Sequence, residues 1–292
     1  MNHVQRYLEH LQFERGLSPL TVQQYRRDLD LLCELKDDLE LAALQSSHIR
    51  RFIATLHGRG LSGKSIARHL SGWRGFFDYL VKYQGAAANP CHGVRAPKSP
   101  RPLPKALAID QAVQLVDMQA EDMLSIRDKA MLELFYSSGL RLSEVTRLNI
   151  GDMNLREGTI EVLGKGNKTR IVPIGSQAIQ AMQDWLAVRQ PAAPEHAQAV
   201  FLNRNGQRIS GRAIQYRLKQ WALKRGINSN VHPHMLRHSF ASHVLQSSGD
   251  LRAVQEMLGH ANISTTQVYT HLDFQHLAKV YDAAHPRARK KD

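Results

Sequence analysis

The chain has 292 residues, a length typical of two ordinary domains, and its 42% hydrophobic and 22% charged residues are typical of a folded globular protein. No apolar run approaches the roughly 20 residues of a membrane-spanning helix, no signal-peptide pattern begins the sequence, and Cys33 and Cys91 lack the spacing of a metal site. We therefore expect a cytoplasmic protein without a disulfide framework, and the formal charge of +13 favours a polyanionic partner such as nucleic acid.

Four helices are predicted within the first ninety residues, because apolar side chains recur there at three- and four-residue steps. Gly16 ends the first helix, and Ser18 followed by Pro19 supplies an N-cap and a proline at the first position of the second. Ser62 begins the fourth. The apolar stripes of the four helices are Val4, Tyr7, Leu8 and Leu11; Leu20, Leu29 and Leu32; Ile49, Phe52, Ile53 and Leu56; and Ile66, Leu70, Trp73, Phe77 and Leu80.

Basic residues concentrate in the second half of this helical segment. Residues 1–47 hold five Lys or Arg against eight Asp or Glu, whereas residues 48–98 hold nine basic residues against Asp78 alone. A solvated surface ordinarily mixes both signs, so we expect the basic side chains to face away from the apolar stripes and contact DNA phosphates. The nine are Arg50, Arg51, Arg59, Lys64, Arg68, Arg74, Lys82, Arg95 and Lys98. Candidates for contacts with base edges are Thr21, Gln23, Arg26, Lys64 and Arg68.

A proline-rich stretch separates two predicted domains. Residues 96–104 carry four prolines in nine positions, and proline cannot donate to a helix or a sheet ladder. We predict a helical domain over residues 1–96, a linker over 97–105 and a larger domain over 106–292.

The larger domain is predicted to combine helices with a short antiparallel sheet, so the fold class is mainly α with a small β-sheet (α+β). Alternating apolar residues indicate the strands, and a glycine-rich stretch between two of them indicates a hairpin. The predicted elements are helices around 110–118 and 126–137, strands Thr159–Leu163, Thr169–Ile174 and Ala199–Asn203, and helices from Ser210 onward.

Cations, histidines and a tyrosine in this domain form a set suited to phosphate chemistry. Each alone is typical of an ordinary surface, cap or core residue. Together, two arginines can bind the non-bridging oxygens of a phosphodiester, histidines can relay protons, a lysine can protonate a leaving oxygen and a tyrosine can attack phosphorus. The set is Arg141, Lys165 at the hairpin tip, His234 and Arg237 at i, i+3 on one helix, His260 and Tyr269.

Neither a nucleotide site nor a metal site is indicated. The sequence has no Gly-x-x-x-x-Gly-Lys-Ser/Thr loop and no carboxylate cluster suited to Mg²⁺. His234 and His238 lie one helical turn apart, but the glutamate of a His-Glu-x-x-His zinc site is missing. We expect no cofactor.

The sequence resembles the tyrosine recombinases over its whole length. Five segments match the successive boxes of that family in order, and the N-terminal helices resemble its core-binding domain. The segments are Gly-Leu-Arg-x-Ser-Glu (139–144), Gly-Lys-Gly (164–166), His-x-Leu-Arg-His-Ser-Phe-Ala (234–241), Leu-Gly-His (258–260) and Thr-Thr-Gln-x-Tyr-Thr (265–270).

The resemblance implies a role for each matching residue. Arg141 and Arg237 would bind the scissile phosphate, and Glu144 would orient Arg141. Lys165 would be the general acid, and Tyr269 the nucleophile. His234 and His260 would take the two histidine roles of the family.

The same resemblance implies the reaction and its partners. DNA would be cut and rejoined through a 3′-phosphotyrosine without metal or ATP, by two domains that close as a clamp around the duplex. The closest likeness within the family implies a heterotetramer with a sister recombinase, control by a DNA translocase, and resolution of chromosome and plasmid dimers at cell division. It also suggests that the segment from Phe274 to Ala284 docks on a neighbouring subunit.

Three other interpretations of the sequence are also considered. A type IB topoisomerase shares much of the residue set but relaxes a single duplex, and a phage-type integrase would need an additional arm-binding domain. A non-enzymatic DNA-binding protein would have no need for Tyr269, Lys165 and His260 together.

Overall fold

The computed structural model describes residues 3–99, 106–164, 169–190, 197–227, 231–258 and 283–286, and the chain divides into two units, Met1–Pro102 and Leu103–Asp292. Three of the residues to which the sequence assigns chemistry, Lys165, His260 and Tyr269, lie outside the described residues.

The N-terminal unit is helical, as predicted. Ser18 caps the second helix, because its side chain accepts a hydrogen bond from the main-chain N–H of Thr21 at 3.3 Å. The elements are α1 (His3–Glu9), a π-helical turn (His10–Glu14), α2 (Pro19–Lys36), a 3₁₀ turn (Leu41–Ala43), α3 (Ser46–Gly58) and α4 (Gly63–Tyr83).

The core of this unit forms around Trp73 of α4. Trp73 is fully buried, and its indole N–H donates to the main-chain oxygen of Asp28 at 2.6 Å. The predicted apolar stripes are buried, with one exception: Leu20 is 72% exposed, and Val22 is buried instead. Leu20 precedes Leu29 by nine residues, which at about 100° per residue places it on the opposite side of α2.

The basic residues of this unit lie at its surface, as predicted. All nine are exposed except Arg74, which is half-buried and donates to the carbonyl oxygen of Val94 at 3.3 Å. Three of the candidates for base contacts already have side-chain partners within the unit. The hydroxyl of Thr21 lies 2.9 Å from that of Ser18. Arg68 pairs with Asp28 at 2.5 Å, and Arg26 donates to Gln5 at 3.1 Å.

The C-terminal unit combines helices with a three-stranded antiparallel sheet, which confirms the predicted fold class. Its elements are α5 (Ile109–Val116), α6 (Met123–Ser138), α7 (Leu142–Arg147), a 3₁₀ turn (Ile150–Asp152), β1 (Met153–Asn154), β2 (Thr159–Leu163), β3 (Thr169–Pro173), α8 (Ser176–Arg189), α9 (Gly211–Lys224), α10 (Pro233–Ser248) and α11 (Leu251–Leu258). The strand order is β1-β2-β3, and in the hairpin Leu163 pairs with Thr169 and Val162 with Arg170.

The prediction of a third strand at Ala199–Asn203 is wrong. This segment forms isolated bridges, Ala199 with Asn149 and Leu202 with Arg208, and the third strand of the sheet is β1. The carbonyl oxygens of Ala199 and Val200 accept hydrogen bonds from side chains of α8, namely Arg189 and Trp185. Because these side chains occupy acceptors that a neighbouring strand would need, no ladder extends along the segment.

Helix α6 passes through the centre of the C-terminal unit and ends beside the candidate site. It contacts α8 and α10, and residues 130–138 are all buried. A smaller apolar cluster joins Phe240 and Val244 of α10 to Val254 and Leu258 of α11, and it includes Ala284. None of the helices in the described ranges is long and apolar enough to cross a membrane.

Candidate active site

Arg141 lies where α6 ends and α7 begins. Gly139 ends α6 with a φ of 59°, and a Cβ at this position would lie 2.5 Å from the ring of Phe240. Glycine adopts this backbone conformation without a steric penalty, so Gly139 allows the sharp turn that places Arg141 at the N-cap of α7. The Arg141 side chain is 34% exposed and therefore accessible to a ligand.

Glu144 holds Arg141 from the first turn of α7. Its Oε2 accepts a hydrogen bond from the main-chain N–H of Arg141 at 2.7 Å, and its Oε1 accepts one from Nη1 of Arg141 at 2.9 Å. Burial opposes the charge of Glu144, but hydrogen bonds from Arg170 and Arg141 outweigh burial and lower the pKa of this carboxyl. The carboxylate is therefore ionised at neutral pH and restrains the Arg141 side chain.

Arg170 is a further arginine of the site that the sequence reasoning missed. Its Nη1 and Nη2 lie 2.8 Å and 3.0 Å from the two carboxylate oxygens of Glu144, and its side chain is 6% exposed. The sequence contained a signal for it. Side chains alternate along a strand, so Arg170 shares the inward face of β3 with the fully buried Val172.

Arg237 lies on α10 and is tied to main-chain oxygens on either side of the site. Its Nη1 donates to Gly139 and its Nη2 to Leu258, both at 2.6 Å. Burial and the neighbouring charge of Arg141 lower the pKa of Arg237 to about 10, although Glu144 opposes this shift. Arg237 remains charged at neutral pH, and its repulsion from Arg141 would be relieved by an anion bound to both.

The C-terminal end of α11 is held by two of these arginines. The last carbonyl groups of a helix have no partner within the helix and interact favourably with cations. Here Nε of Arg170 donates to the Met257 oxygen at 3.3 Å, while Arg237 holds the Leu258 oxygen. His260 follows two residues later in the sequence, outside the described ranges.

His234 lies in the first turn of α10, three residues before Arg237 and on the same side of the helix. Its side chain is exposed, and its ring centroid lies 6.5 Å from that of His232. His232 caps α10, since its Nδ1 accepts a hydrogen bond from the main-chain N–H of Met235 at 3.2 Å. Burial and the nearby His234 lower the pKa of His232.

The structure thus brings Arg141 and Arg237 together around Glu144 and Arg170. Guanidinium groups present forked donors that match the non-bridging oxygens of a phosphate, and positive charge there stabilises charge that develops during phosphoryl transfer. Among the residues that the structure describes, no group of His, Cys, Asp or Glu side chains is arranged to hold a metal ion.

Two family models match the chain. The phage integrase family matches residues 105–276, and the phage integrase N-terminal SAM-like domain matches residues 4–84. The first match contains Arg141, Glu144, Arg170 and Arg237.

Curated relatives match over nearly the whole chain. Tyrosine recombinase XerC of Ralstonia pickettii (strain 12J) is 54% identical, and the match covers 98% of this chain and 94% of the relative. Tyrosine recombinase XerC of Pseudomonas aeruginosa (strain PAO1) is 53% identical, with 98% and 95% covered, and XerC of Proteus mirabilis is 50% identical, with 98% and 94% covered.

Solved structures show the same fold. XerA recombinase is 28% identical with a TM-score of 0.52, and the match covers 96% of each chain. The XerH site-specific recombinase bound to palindromic difH substrate is 23% identical with a TM-score of 0.71, covering 96% of this chain and 83% of that one. Because XerH is only 23% identical to this chain, its similarity is evidence for the fold alone.

Proposed function

The chain belongs to the phage integrase family and is a site-specific tyrosine recombinase, and we propose that it shares the role of its XerC relatives, exchanging strands of double-stranded DNA together with the sister recombinase XerD. The observation that carries this proposal is the identity of 50–54% over 98% of the chain to XerC proteins from three genera. The arrangement of Arg141, Glu144 and Arg237 supports it with a site suited to a DNA phosphate.

In the proposed reaction, Arg141 and Arg237 bind the non-bridging oxygens of the scissile phosphodiester. Both guanidinium groups are fixed before the DNA arrives, Arg141 by Glu144 and Arg237 by the oxygens of Gly139 and Leu258. Donors held in place in this way need no reorganisation as negative charge grows on the phosphate, so they stabilise the transition state more than the ground state.

The bonds that form and break are assigned to Tyr269 and Lys165, which lie outside the described ranges. The phenolic oxygen of Tyr269 attacks phosphorus, the bond from phosphorus to the 5′ oxygen breaks, and Lys165 gives its proton to that oxygen. His260 and His234 donate to the phosphate or accept the phenolic proton. The products are a 3′-phosphotyrosine ester and a free 5′ hydroxyl.

Rejoining follows from the same chemistry in reverse. The phosphotyrosine ester keeps the energy of the broken phosphodiester, so a 5′ hydroxyl of the partner duplex can attack it without ATP. Two successive exchanges, through a four-way junction, then recombine the duplexes.

The proposed assembly is a heterotetramer of this chain and XerD, two copies of each, on one pair of DNA sites. The N-terminal unit would bind DNA through its exposed basic side chains, and the C-terminal unit would carry the catalysis. Acting in the cytoplasm under control of the translocase FtsK, the assembly would convert chromosome and plasmid dimers to monomers at cell division.

A nicked suicide duplex tests the proposal. The nick lies beside the cleavage point of a site that is first defined by footprinting, so that cleavage releases a short fragment and traps the covalent adduct. We expect a protein–DNA adduct on a denaturing gel, and full recombinants only when XerD from the same organism is added. Binding without an adduct would indicate a non-enzymatic DNA-binding protein, and relaxation of plasmids that lack the site would indicate a topoisomerase.

A further inference from the structure

Arg170 is a buried charge that the proposed mechanism does not use. Its side chain is 6% exposed, and it lies on β3, five residues after Lys165 in the sequence. Taking a guanidinium out of water is unfavourable unless the group is paired and hydrogen-bonded. The partners of Arg170 therefore indicate its role.

Those partners belong to two other elements. The guanidinium binds both oxygens of Glu144 on α7, at 2.8 Å and 3.0 Å, and its Nε donates to the Met257 oxygen at the end of α11. A planar guanidinium that makes three directed bonds fixes the relative positions of the groups it binds. A single side chain thus joins β3, α7 and α11.

Arg141 depends on the same carboxylate. Oε1 of Glu144 accepts hydrogen bonds from both Arg170 and Arg141, and Oε2 accepts from Arg170 and from the main chain of Arg141. If Arg170 were lost, the buried carboxylate would lose two charged hydrogen bonds, and burial would then favour its protonated form. A protonated or rotated Glu144 no longer restrains Arg141.

Other charged groups lie near this carboxylate and do not replace Arg170. Arg237 approaches from α10 but donates to main-chain oxygens. Three further charged side chains line the cavity beside Glu144, one basic and two acidic. They are Arg147, Asp152 and Glu161.

We propose that Arg170 is a positioning residue for strand cleavage, which holds Glu144 so that Arg141 presents its guanidinium to the scissile phosphate and which fixes the end of α11 ahead of His260. The proposal rests on the proposed function of Arg141 as a phosphate ligand.

Arg127 provides a matched control. It is 4% exposed, binds the carboxylate of Asp128 through Nε and Nη2, and donates to the Leu202 oxygen at 2.8 Å. The bonds that the structure describes for Arg127 involve neither Arg141 nor Glu144. Arg127→Lys therefore reports what a buried arginine contributes to stability alone.

The experiment compares Arg170→Lys, Arg170→Gln and Arg127→Lys with the wild type. Lysine keeps the charge but cannot bind both oxygens of Glu144 and the Met257 oxygen together. Single-turnover cleavage of the suicide duplex should fall roughly 10- to 100-fold in both Arg170 variants, the range found for residues that orient the ligands of a metal ion and act in the same indirect way. DNA affinity and the activity of Arg127→Lys should stay near the wild-type values.

The pH dependence separates positioning from a loss of stability. In Arg170→Gln, cleavage should decline at a higher pH on the acidic side than in the wild type, because Glu144 is protonated more easily. Adding Glu144→Gln to this variant should remove that shift. An Arg170→Lys variant that cleaves at the wild-type rate would overturn the proposal, as would activity losses in the Arg170 variants that only follow their loss of thermal stability. If Arg170→Gln does not fold, the cleavage rate of Arg170→Lys decides whether the proposal holds.

A second readout is independent of cleavage. Inorganic phosphate should raise the melting temperature of the wild type and of Arg127→Lys, and should do so less in Arg170→Lys. If the wild type forms no covalent adduct, the proposed function fails. The rise in melting temperature with phosphate then still decides whether Arg170 holds Arg141 in place. An equal rise in all three proteins would overturn that positioning role.

Discussion

Nη1 of Arg237 lies 2.6 Å from the carbonyl oxygen of Gly139, so α10 is bonded to the turn from which Arg141 projects. The two arginines of the proposed phosphate site are therefore connected through the main chain, because Gly139, the acceptor for Arg237, precedes Arg141 by two residues. The two arginines differ, however, in the acceptors that they bind. Arg141 donates to the side chain of Glu144, whereas Arg237 donates to two buried main-chain oxygens.

This difference predicts distinct results for Arg141→Ala and Arg237→Ala. Both should reduce single-turnover cleavage by on the order of 10²–10³, the loss typical of removing a transition-state donor. Arg237→Ala should also lower the free energy of unfolding by about 1–3 kcal/mol, since two buried oxygens lose their donor. Denaturant titration and DNA-binding anisotropy provide the comparison. Equal losses of affinity and cleavage would instead indicate that the arginines position the DNA.

Tyr269→Phe should bind DNA like the wild type and form no covalent adduct, because only the attacking oxygen is removed. Tyr216→Phe is the control, since Tyr216 is 61% exposed on α9 and should be dispensable for cleavage. The suicide-duplex gel provides the measurement. An adduct that persists in Tyr269→Phe would show that the nucleophile is another residue, with Tyr281 and Tyr216 the next to replace.

The N-terminal helices could be predicted from the sequence because their apolar residues follow the helical period, as the burial of Ile66, Leu70 and Trp73 shows. The strand at Ala199–Asn203 could not be excluded in that way. What prevents it is a set of side-chain bonds from Trp185 and Arg189, and these depend on how α8 packs. Periodicity within a segment carries no information on such long-range partners.

For the site, the motifs identified Arg141 and Arg237 but not the group between them. Arg170 belongs to no motif that the sequence reasoning used, and its importance follows from bonds to Glu144 and Met257, which lie 26 and 87 residues away in the chain. Its place on the inward face of β3 could be predicted, because inward and outward side chains alternate along a strand. Its partners could not, because the pairing of α7, β3 and α11 is a property of the tertiary structure.

Glu144 predicts a specific change in acid stability. Its pKa in the folded protein lies below the unfolded value of about 4.3. Its ionisation therefore contributes stability that is fully present above the unfolded pKa and is lost as pH falls through the folded pKa. Urea unfolding between pH 3 and pH 7 should show a shallower acid loss in Glu144→Gln than in the wild type. Parallel curves for the two proteins would mean that Glu144 titrates normally.

Cleavage should persist in EDTA, because arginine and lysine side chains supply the positive charge that metal ions provide in other phosphoryl-transfer enzymes. The measurement is single-turnover cleavage after dialysis against chelator, with untreated enzyme as the reference. Activity that disappears and returns with Mg²⁺ or Zn²⁺ would contradict this mechanism.

The last prediction concerns the C-terminal segment, for which the resemblance suggested docking on a neighbouring subunit. Residues 274–282 lie outside the described ranges, but the residues that follow pack within their own unit. Ala284 and His285 are buried. The centroid of the His285 ring lies 5.5 Å from that of the Phe240 ring, and Nε2 of His285 lies 3.0 Å from the main-chain oxygen of Tyr136.

Truncation at two points tests whether this packing supports the fold. Deleting residues 283–292 should lower the melting temperature by several degrees, because it uncovers the apolar cluster of α10 and α11 and removes the His285 hydrogen bond. Deleting residues 287–292 removes none of these contacts and should leave the melting temperature unchanged. Cooperative assembly with XerD on DNA is measured in parallel by gel shift. If the longer deletion keeps wild-type stability and loses only cooperative assembly, the segment acts on the neighbouring subunit, as the resemblance suggested.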